Sequence, residues 1–393
     1  MAWLPHHRSG EPPAPSREAG RCVLRRIAIG DLETAASRER WDALAATAAE
    51  SNPFHESWYL LPALAALDPA GETQIMVLEQ GERWLGLLPI ARSRHYYGRP
   101  LPHRGNWLHG NAFLGAPLVA RGAETTFWTA LLDHADTRPG PALFFHLADL
   151  PLAGSLTEAL RQVCAAQGRA IGLVHREERA LLASALSPEA YLDAALSGKK
   201  RKELRRQHAR LSELGPLDCT RSRDGAGLAE WTEAFLNLEA AGWKGRAGSA
   251  LAASPATAGL FTAALRGAAE RGRLERLTLT LQGRPIAMLA TFLASPGAFA
   301  FKTTFDEAYA RFSPGVLLQR ENLALLADPA LEWCDSCAAA DHPMIDHLWR
   351  ERRAIGRWSV AIGGRARRGA FALLLKAELA RSTKGRCPSG DIA

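Results

Sequence analysis

The chain has 393 residues, 47% of them hydrophobic and 23% charged, with a net charge of +7 and a pI near 9.3. That length suits two domains of ordinary size, and the balance is that of a soluble globular protein. No run of about 18 uninterrupted apolar residues occurs, which speaks against a spanning helix, and the basic balance favours anionic partners such as phosphate-bearing cofactors, nucleic acid or membrane surfaces.

Residues 1–20 are polar and Pro-rich, without the apolar core of a signal peptide, and predict a flexible lead and a cytoplasmic protein. Residues 22–29 have strand character. Residues 38–50 are alanine-rich and place Trp41 and Leu44 three apart, on one helix face. A second helix begins at Asn52-Pro53-Phe54 and runs through Trp58, Leu61 and Leu64. Residues 73–78 and 84–90, separated by Gln80-Gly81-Glu82, predict a hairpin. The stretch 98–119 is a polar-aromatic loop in which Trp107, His109 and Asn111 could line a cleft, although such residues are as often structural. A helix at 125–135, a strand at 142–147, a helix at 155–167 and a strand at 170–174 complete a first unit, which ends near residue 185.

The second unit opens with a short helix at 187–196 and a basic helix over 199–210. Lys199, Lys200, Arg201, Lys202, Arg205, Arg206 and Arg210 are opposed there by Glu203 alone. Leu204, Leu211 and Leu214 form the narrow apolar stripe that docks it. An RNA or tRNA backbone, an anionic lipid membrane surface or polysaccharide, and a plainly solvated face compete as its use. The lack of aromatic residues for base stacking weighs against nucleic acid. A strand at 217–222 and helices at 227–241 and 255–271 follow. Between those helices Gly242, Gly245 and Gly248 make a mobile basic loop around Trp243, Lys244 and Arg246. No P-loop, dinucleotide fingerprint or G-x-S-x-G elbow occurs. Of the six cysteines, Cys334 and Cys337 form the sole C-x-x-C. With no second pair or spaced histidines they predict buried thiols, not a metal site.

A hairpin at 274–282 and 285–294 leads into a strand at 298–304, a polar loop at 305–312, and a helix opening at Ser313-Pro314-Gly315. Ser313 is a good N-cap, Pro314 suits the first helical position, and Gly315 leaves the first turn bare. The N–H groups from Ser313 through Val316 and Leu317, with the helix dipole behind them and Arg311 and Arg320 nearby, could then hold an anion such as a pyrophosphate. The same signature also begins many ordinary helices. A strand at 331–337, a helix at 343–355 and a strand at 357–362 complete an α/β unit with a mixed sheet, before a flexible tail at 384–393.

This order of elements resembles the GNAT acyltransferase core. NPFHESWYLLPAL, SGKKRKELRRQHARL, LEAAGWKGRAGSAL and FKTTFDEAYARFSPGVLLQRENL resemble the CelD-type, FemAB-like acetyltransferase group associated with bacterial cellulose biosynthesis, over residues 24–364. The resemblance implies tandem GNAT-like domains, 21–185 on the acceptor side and 186–383 binding acyl-CoA. It also implies acyl transfer to an amine or hydroxyl of a small-molecule or polysaccharide-precursor acceptor. Arg311-Phe312-Ser313-Pro314-Gly315-Val316 departs from the family's R/Q-x-x-G-x-G/A loop by keeping one glycine and admitting a proline. Related Fem proteins use aminoacyl-tRNA, and a non-catalytic accessory protein of polysaccharide assembly is the remaining alternative. The chemistry needs a base and an oxyanion donor. Glu239 and Asp335 are candidates for the base, and Lys302 and Tyr309 for the donor or general acid. Trp243 and Lys244 could close over the acceptor.

Overall fold

The computed structural model describes residues 20–384 other than Asp341 and Pro343. The lead and tail expected at the ends lie almost wholly outside the described residues. The first half supplies β1 (Val23–Ile27), β2 (Gln74–Gln80), β3 (Arg83–Ser93), β4 (His103–Asn106), β5 (Leu118–Val119), β6 (Phe144–Pro151) and β7 (Ile171–Leu182). The second supplies β8 (Leu217–Ser222), β9 (Leu274–Leu281), β10 (Arg284–Ala294), β11 (Gly297–Phe305), β12 (Trp333–Asp335) and β13 (Glu351–Ala361). All join one sheet in the order β1-β2-β3-β4-β6-β13-β7-β12-β11-β10-β9-β8, with β5 beside β3.

Strands β9 and β10 read as near-continuous apolar runs because both of their faces are covered. The helix Pro255–Ala269 packs against β9, and the helix Pro314–Asn322 packs against both β9 and β10. The halves meet through aromatic side chains. Phe54, which opens the segment before the helix Ser57–Leu67, sets its ring edge-on to Phe299 at 5.6 Å and Phe292 at 6.4 Å.

The end of the chain corrects the sequence reading. Residues 344–348 form turns instead of a helix over 343–355, and β13 begins at Glu351. β13 is inserted between β6 and β7, antiparallel to both, and the helix Arg365–Lys384 packs on β7 and β13. Local helix propensity in RERRA yields to the ladder with β7, which takes up Glu351–Ala354, and from Ile355 onward a second ladder with β6 joins it. A cut at 185/186 therefore does not divide the sheet, since residues 351–384 return to the first half.

Candidate active site

Strands β11 and β12 run parallel and pair over three residues only, from Gly297↔Trp333 to Phe299↔Asp335. Gly297 is required at the start of that pairing, because a Cβ there would lie 2.2 Å from the Trp333 ring. Beyond Phe299 the strands part. β11 continues to Phe305, while the other chain turns off at Cys337, which takes a left-handed φ of 52°. A cavity of about 790 Å³ opens in the fork. Phe301–Phe305, residues 336–339, the helix start at Ser313–Val316 and the turn Gly242–Lys244 line it. The free edge of β11 presents backbone donors and acceptors along the cavity, the kind of edge that an amide-bearing ligand arm can pair with.

The first half has the same fork and closes it. β4 and β6 pair in parallel over Arg104↔Phe145 and Gly105↔His146. The next residue, Asn106, then spans the gap. Its Nδ2 donates to Gly115 O at 2.9 Å and Ala148 O at 2.8 Å, and its Oδ1 accepts from Ala148 N at 2.8 Å. Gly115 N donates to Asp149 O at 2.9 Å, so the loop itself occupies the space where a ligand would enter.

The charged groups at the open fork divide into paired and unpaired. Glu239 is 2% exposed and fully engaged, with Oε1 accepting from Lys244 Nζ and Oε2 from Leu251 N, both at 2.7 Å. Lys244 also reaches Thr303 O at 3.4 Å. Lys302 has no hydrogen-bond or ion-pair partner among the described residues. Its Nζ stands 4.9 Å from the Phe113 centroid and 5.5 Å from that of Phe301. Burial, with Lys244 adding to it, brings the Lys302 pKa down to about 8. A cavity-lining amine with a perturbed pKa and no direct ion pair among the described residues, with Glu239 acting on it only from a distance, is the pattern of a functional group.

Several expected residues sit elsewhere. Asp335 is fully buried, accepts from Arg179 Nη2 at 2.7 Å, Arg353 Nη1 at 3.0 Å and Cys337 N at 2.9 Å, and does not line the cavity. Burial raises its pKa, but the two guanidiniums overcome that and hold the carboxyl below its ordinary range. It is an ion-pair centre, not a base. Tyr309 packs against the apolar core that holds Leu211, Leu317 and Leu318, and does not line the cavity. Trp107, His109 and Asn111 pack behind the wall. His109 stacks on Tyr59 at 6.1 Å, Trp107 tilts against His109 at 5.0 Å, and Asn111 O accepts from the Tyr59 hydroxyl at 2.5 Å. Phe113, from the same loop, is the residue that reaches the cavity.

The helix start also differs from expectation. Ser313 caps nothing with its side chain and is held left-handed at φ 52°, ψ 52°, at a cost of roughly 1 kcal/mol. Its carbonyl accepts from Val316 N at 2.9 Å and Leu317 N at 3.0 Å. Pro314 has no N–H, so the expected cradle reduces to the Gly315 N–H. Arg320 is turned to Glu321 at 2.7 Å, while Arg311 is exposed and stacks on Phe312 at 4.6 Å. His342, missed in the sequence, lines the cavity, and burial lowers its pKa. Its Nδ1 accepts from Met344 N at 3.4 Å. A histidine just past the predicted strand at 331–337 was the available signal. Cys334 and Cys337 are buried free thiols, and Cys337 lines the cavity. Among the described residues no group of three or more His, Cys, Asp or Glu could hold a metal ion. No helix among them is long and apolar enough to cross a membrane.

Residues 198–343, which hold the open fork, match the acetyltransferase (GNAT) domain family. The crystal structure of FemX superposes with a TM-score of 0.52 at 10% identity, covering 82% of this chain and 95% of that one. A conserved protein of unknown function from Bacteroides thetaiotaomicron gives 0.52 at 12% identity, covering 86% and 99%. A tandem GNAT protein from the clavulanic acid biosynthesis pathway gives 0.44 at 17% identity, covering 88% and 99%. At such identities the likeness is one of fold. No curated protein matches the chain in sequence.

Proposed function

We propose that the chain is an acyltransferase that moves an acyl group from acyl-CoA to an amine or hydroxyl of an envelope-polysaccharide precursor, in the cavity between β11 and β12. The observation that carries this reading is the open fork within the matched segment, with an unpaired strand edge on one side and a helix start on the other. The pantetheine amides pair with the β11 edge, and the phosphates meet the Gly315 N–H, the free Ser313 hydroxyl and Arg311. An acceptor nitrogen attacks the thioester carbonyl carbon. The new C–N bond forms, the C–S bond breaks, and the amine's surplus proton passes to His342. Lys302, as the ammonium, steadies the oxyanion and protonates the departing thiolate. Glu239 acts through Lys244, fixing the turn that closes over the acceptor.

One observation favours a second donor. A helix start with a single free N–H is a weak phosphate cradle, so aminoacyl-tRNA is tested alongside. Calorimetric titration with CoA, acetyl-CoA, longer acyl-CoAs and an aminoacyl-tRNA identifies the donor. Release of CoA thiol on adding amino sugars or simple alcohols identifies the acceptor class. Saturable acyl-CoA binding with acceptor-dependent thiol release is the expected result. Binding without any acceptor-dependent release turns the reading to an accessory protein, and absence of binding by every donor overturns it.

A further inference from the structure

We propose that the outer face of the helix Gly198–Ser212, together with Trp243, is a docking surface for an anionic lipid bilayer that seats the cavity mouth on the membrane. Lys199, Lys202, Arg206 and Arg210 follow one another at spacings of three, four and four residues, so they share one helix face. All four are exposed, and the opposite face carries Leu204 and the buried Leu211, which dock the helix. Lys199, Lys202 and Arg210 form no ion pair among the described residues, and Arg206 meets Glu203 alone.

The helix that carries this face lies beside the cavity rim. The helix packs along the turn Glu307–Phe312, and Glu307 and Ala310 of that turn line the cavity. Glu307 in turn accepts from Trp243 N and from Arg246 Nη2, each at 2.6 Å, which fixes the four-residue turn Trp243–Arg246 beside it. The Trp243 side chain lines the same mouth, and the residue is 56% exposed. An indole left in water at the edge of a basic stripe is the combination that a bilayer interface satisfies, with the ring among headgroups and the cations over anionic lipid. Single-stranded nucleic acid is gripped through stacking rings beside the cations, and this helix has none, which favours the bilayer. Behind the mouth, Phe301, Phe305, Val316, Met344 and Ile345 give the cavity an apolar wall that suits the hydrocarbon part of an amphiphile. The inference extends the transferase reading by placing its acceptor at a membrane, but its test needs no turnover.

The test is co-sedimentation of the full chain with phosphatidylcholine vesicles, with and without phosphatidylglycerol, at low and high salt. Binding is expected only with phosphatidylglycerol, and it should weaken as salt rises. Changing Lys199, Lys202, Arg206 and Arg210 together to Gln should lower the partition coefficient by roughly 600-fold, at about fivefold for each cation. Trp243→Ala should lower it several-fold without changing the salt dependence. Calorimetry with CoA on the four-Gln variant should match the parent, which shows that the fold and cavity survive. Equal partition onto neutral vesicles, or full binding by the four-Gln variant, overturns the proposal. So does tighter salt-dependent binding to tRNA than to vesicles, which would give the face to nucleic acid. If the parent binds neither CoA, acyl-CoA nor aminoacyl-tRNA while vesicle binding is intact, the transferase reading alone fails.

Discussion

The ammonium of Lys302 lies 4.9 Å from the ring centroid of Phe113, so a cation on β11 meets an aromatic face supplied by the first half of the chain. The contact gives the first half a part in the site that its own closed fork denies it. It also desolvates the amine, which is the main reason that the Lys302 pKa falls to about 8.

In the proposed reaction Lys302 donates a proton from its charged form, and that form is lost as pH rises through about 8. The rate should therefore hold up to that point and then decline. The same proposal needs His342 unprotonated, and its pKa lies below the ordinary histidine value, so an acid limb should appear below that range. Lys302→Met should lower kcat by roughly 10²- to 10⁴-fold, the usual worth of a general acid, with donor affinity little changed. Lys302→Arg should push the alkaline limb out of reach. An alkaline limb that survives Lys302→Met belongs to another group.

The same contact shows where sequence reading stops. The strand at 298–304, the helix start after it and the Gly-rich stretch are local patterns: an apolar β run, Ser-Pro-Gly, and glycines at a helix end. They were legible, and Lys302, Trp243, Lys244, Ser313 and Gly315 all line the cavity. Asp335 looked like a free strand-end carboxylate because its partners, Arg179 and Arg353, come from strands 156 and 18 residues away. The insertion of β13 between β6 and β7 is equally non-local. Nothing in the run 351–361 states which two strands it will join, since pairing is decided by tertiary context.

Asp335→Asn is expected to act on stability before chemistry. It leaves two guanidiniums facing a neutral amide in a site where the carboxylate is fully buried. Removing one partner of such a buried network costs about 3–5 kcal/mol, read as a lower urea midpoint. If the variant is as stable as the parent yet slow in turnover, the carboxylate has a catalytic part after all.

Acid should loosen the fold in the window below the ordinary histidine pKa. Burial brings His55 and His146 down to about 3 and His109 to about 4, with Lys302 adding to the effect on His109. Each folded-state value lies below its unfolded one, so the stabilisation is complete above about 6.5 and is lost as pH falls toward the folded value. One pH unit below 6.5 the loss is roughly 1 kcal/mol per ring. Urea midpoints measured between neutral pH and about 5.5 should drop accordingly. A flat profile would mean that these rings titrate in the native protein as they do in the unfolded chain.

The Gly315 N–H is the one backbone donor that the helix start leaves for a phosphate, so blocking it should weaken the donor. A Cβ at this position would lie 2.5 Å from Met344 Sδ and 3.3 Å from Phe305 Cδ1. Gly315→Ala therefore changes two things, crowding Met344 and shielding the N–H, and a single variant does not separate them. Met344→Ala removes the nearer obstacle while leaving the N–H bare. In both the parent and the Met344→Ala background, Gly315→Ala should weaken CoA by about tenfold, the worth of one charge-assisted hydrogen bond. The urea midpoint should fall mainly where Met344 is present. If Met344→Ala restores full CoA affinity to Gly315→Ala, then space and not the N–H governs the donor, and the phosphates rest on Arg311 and the Ser313 hydroxyl instead.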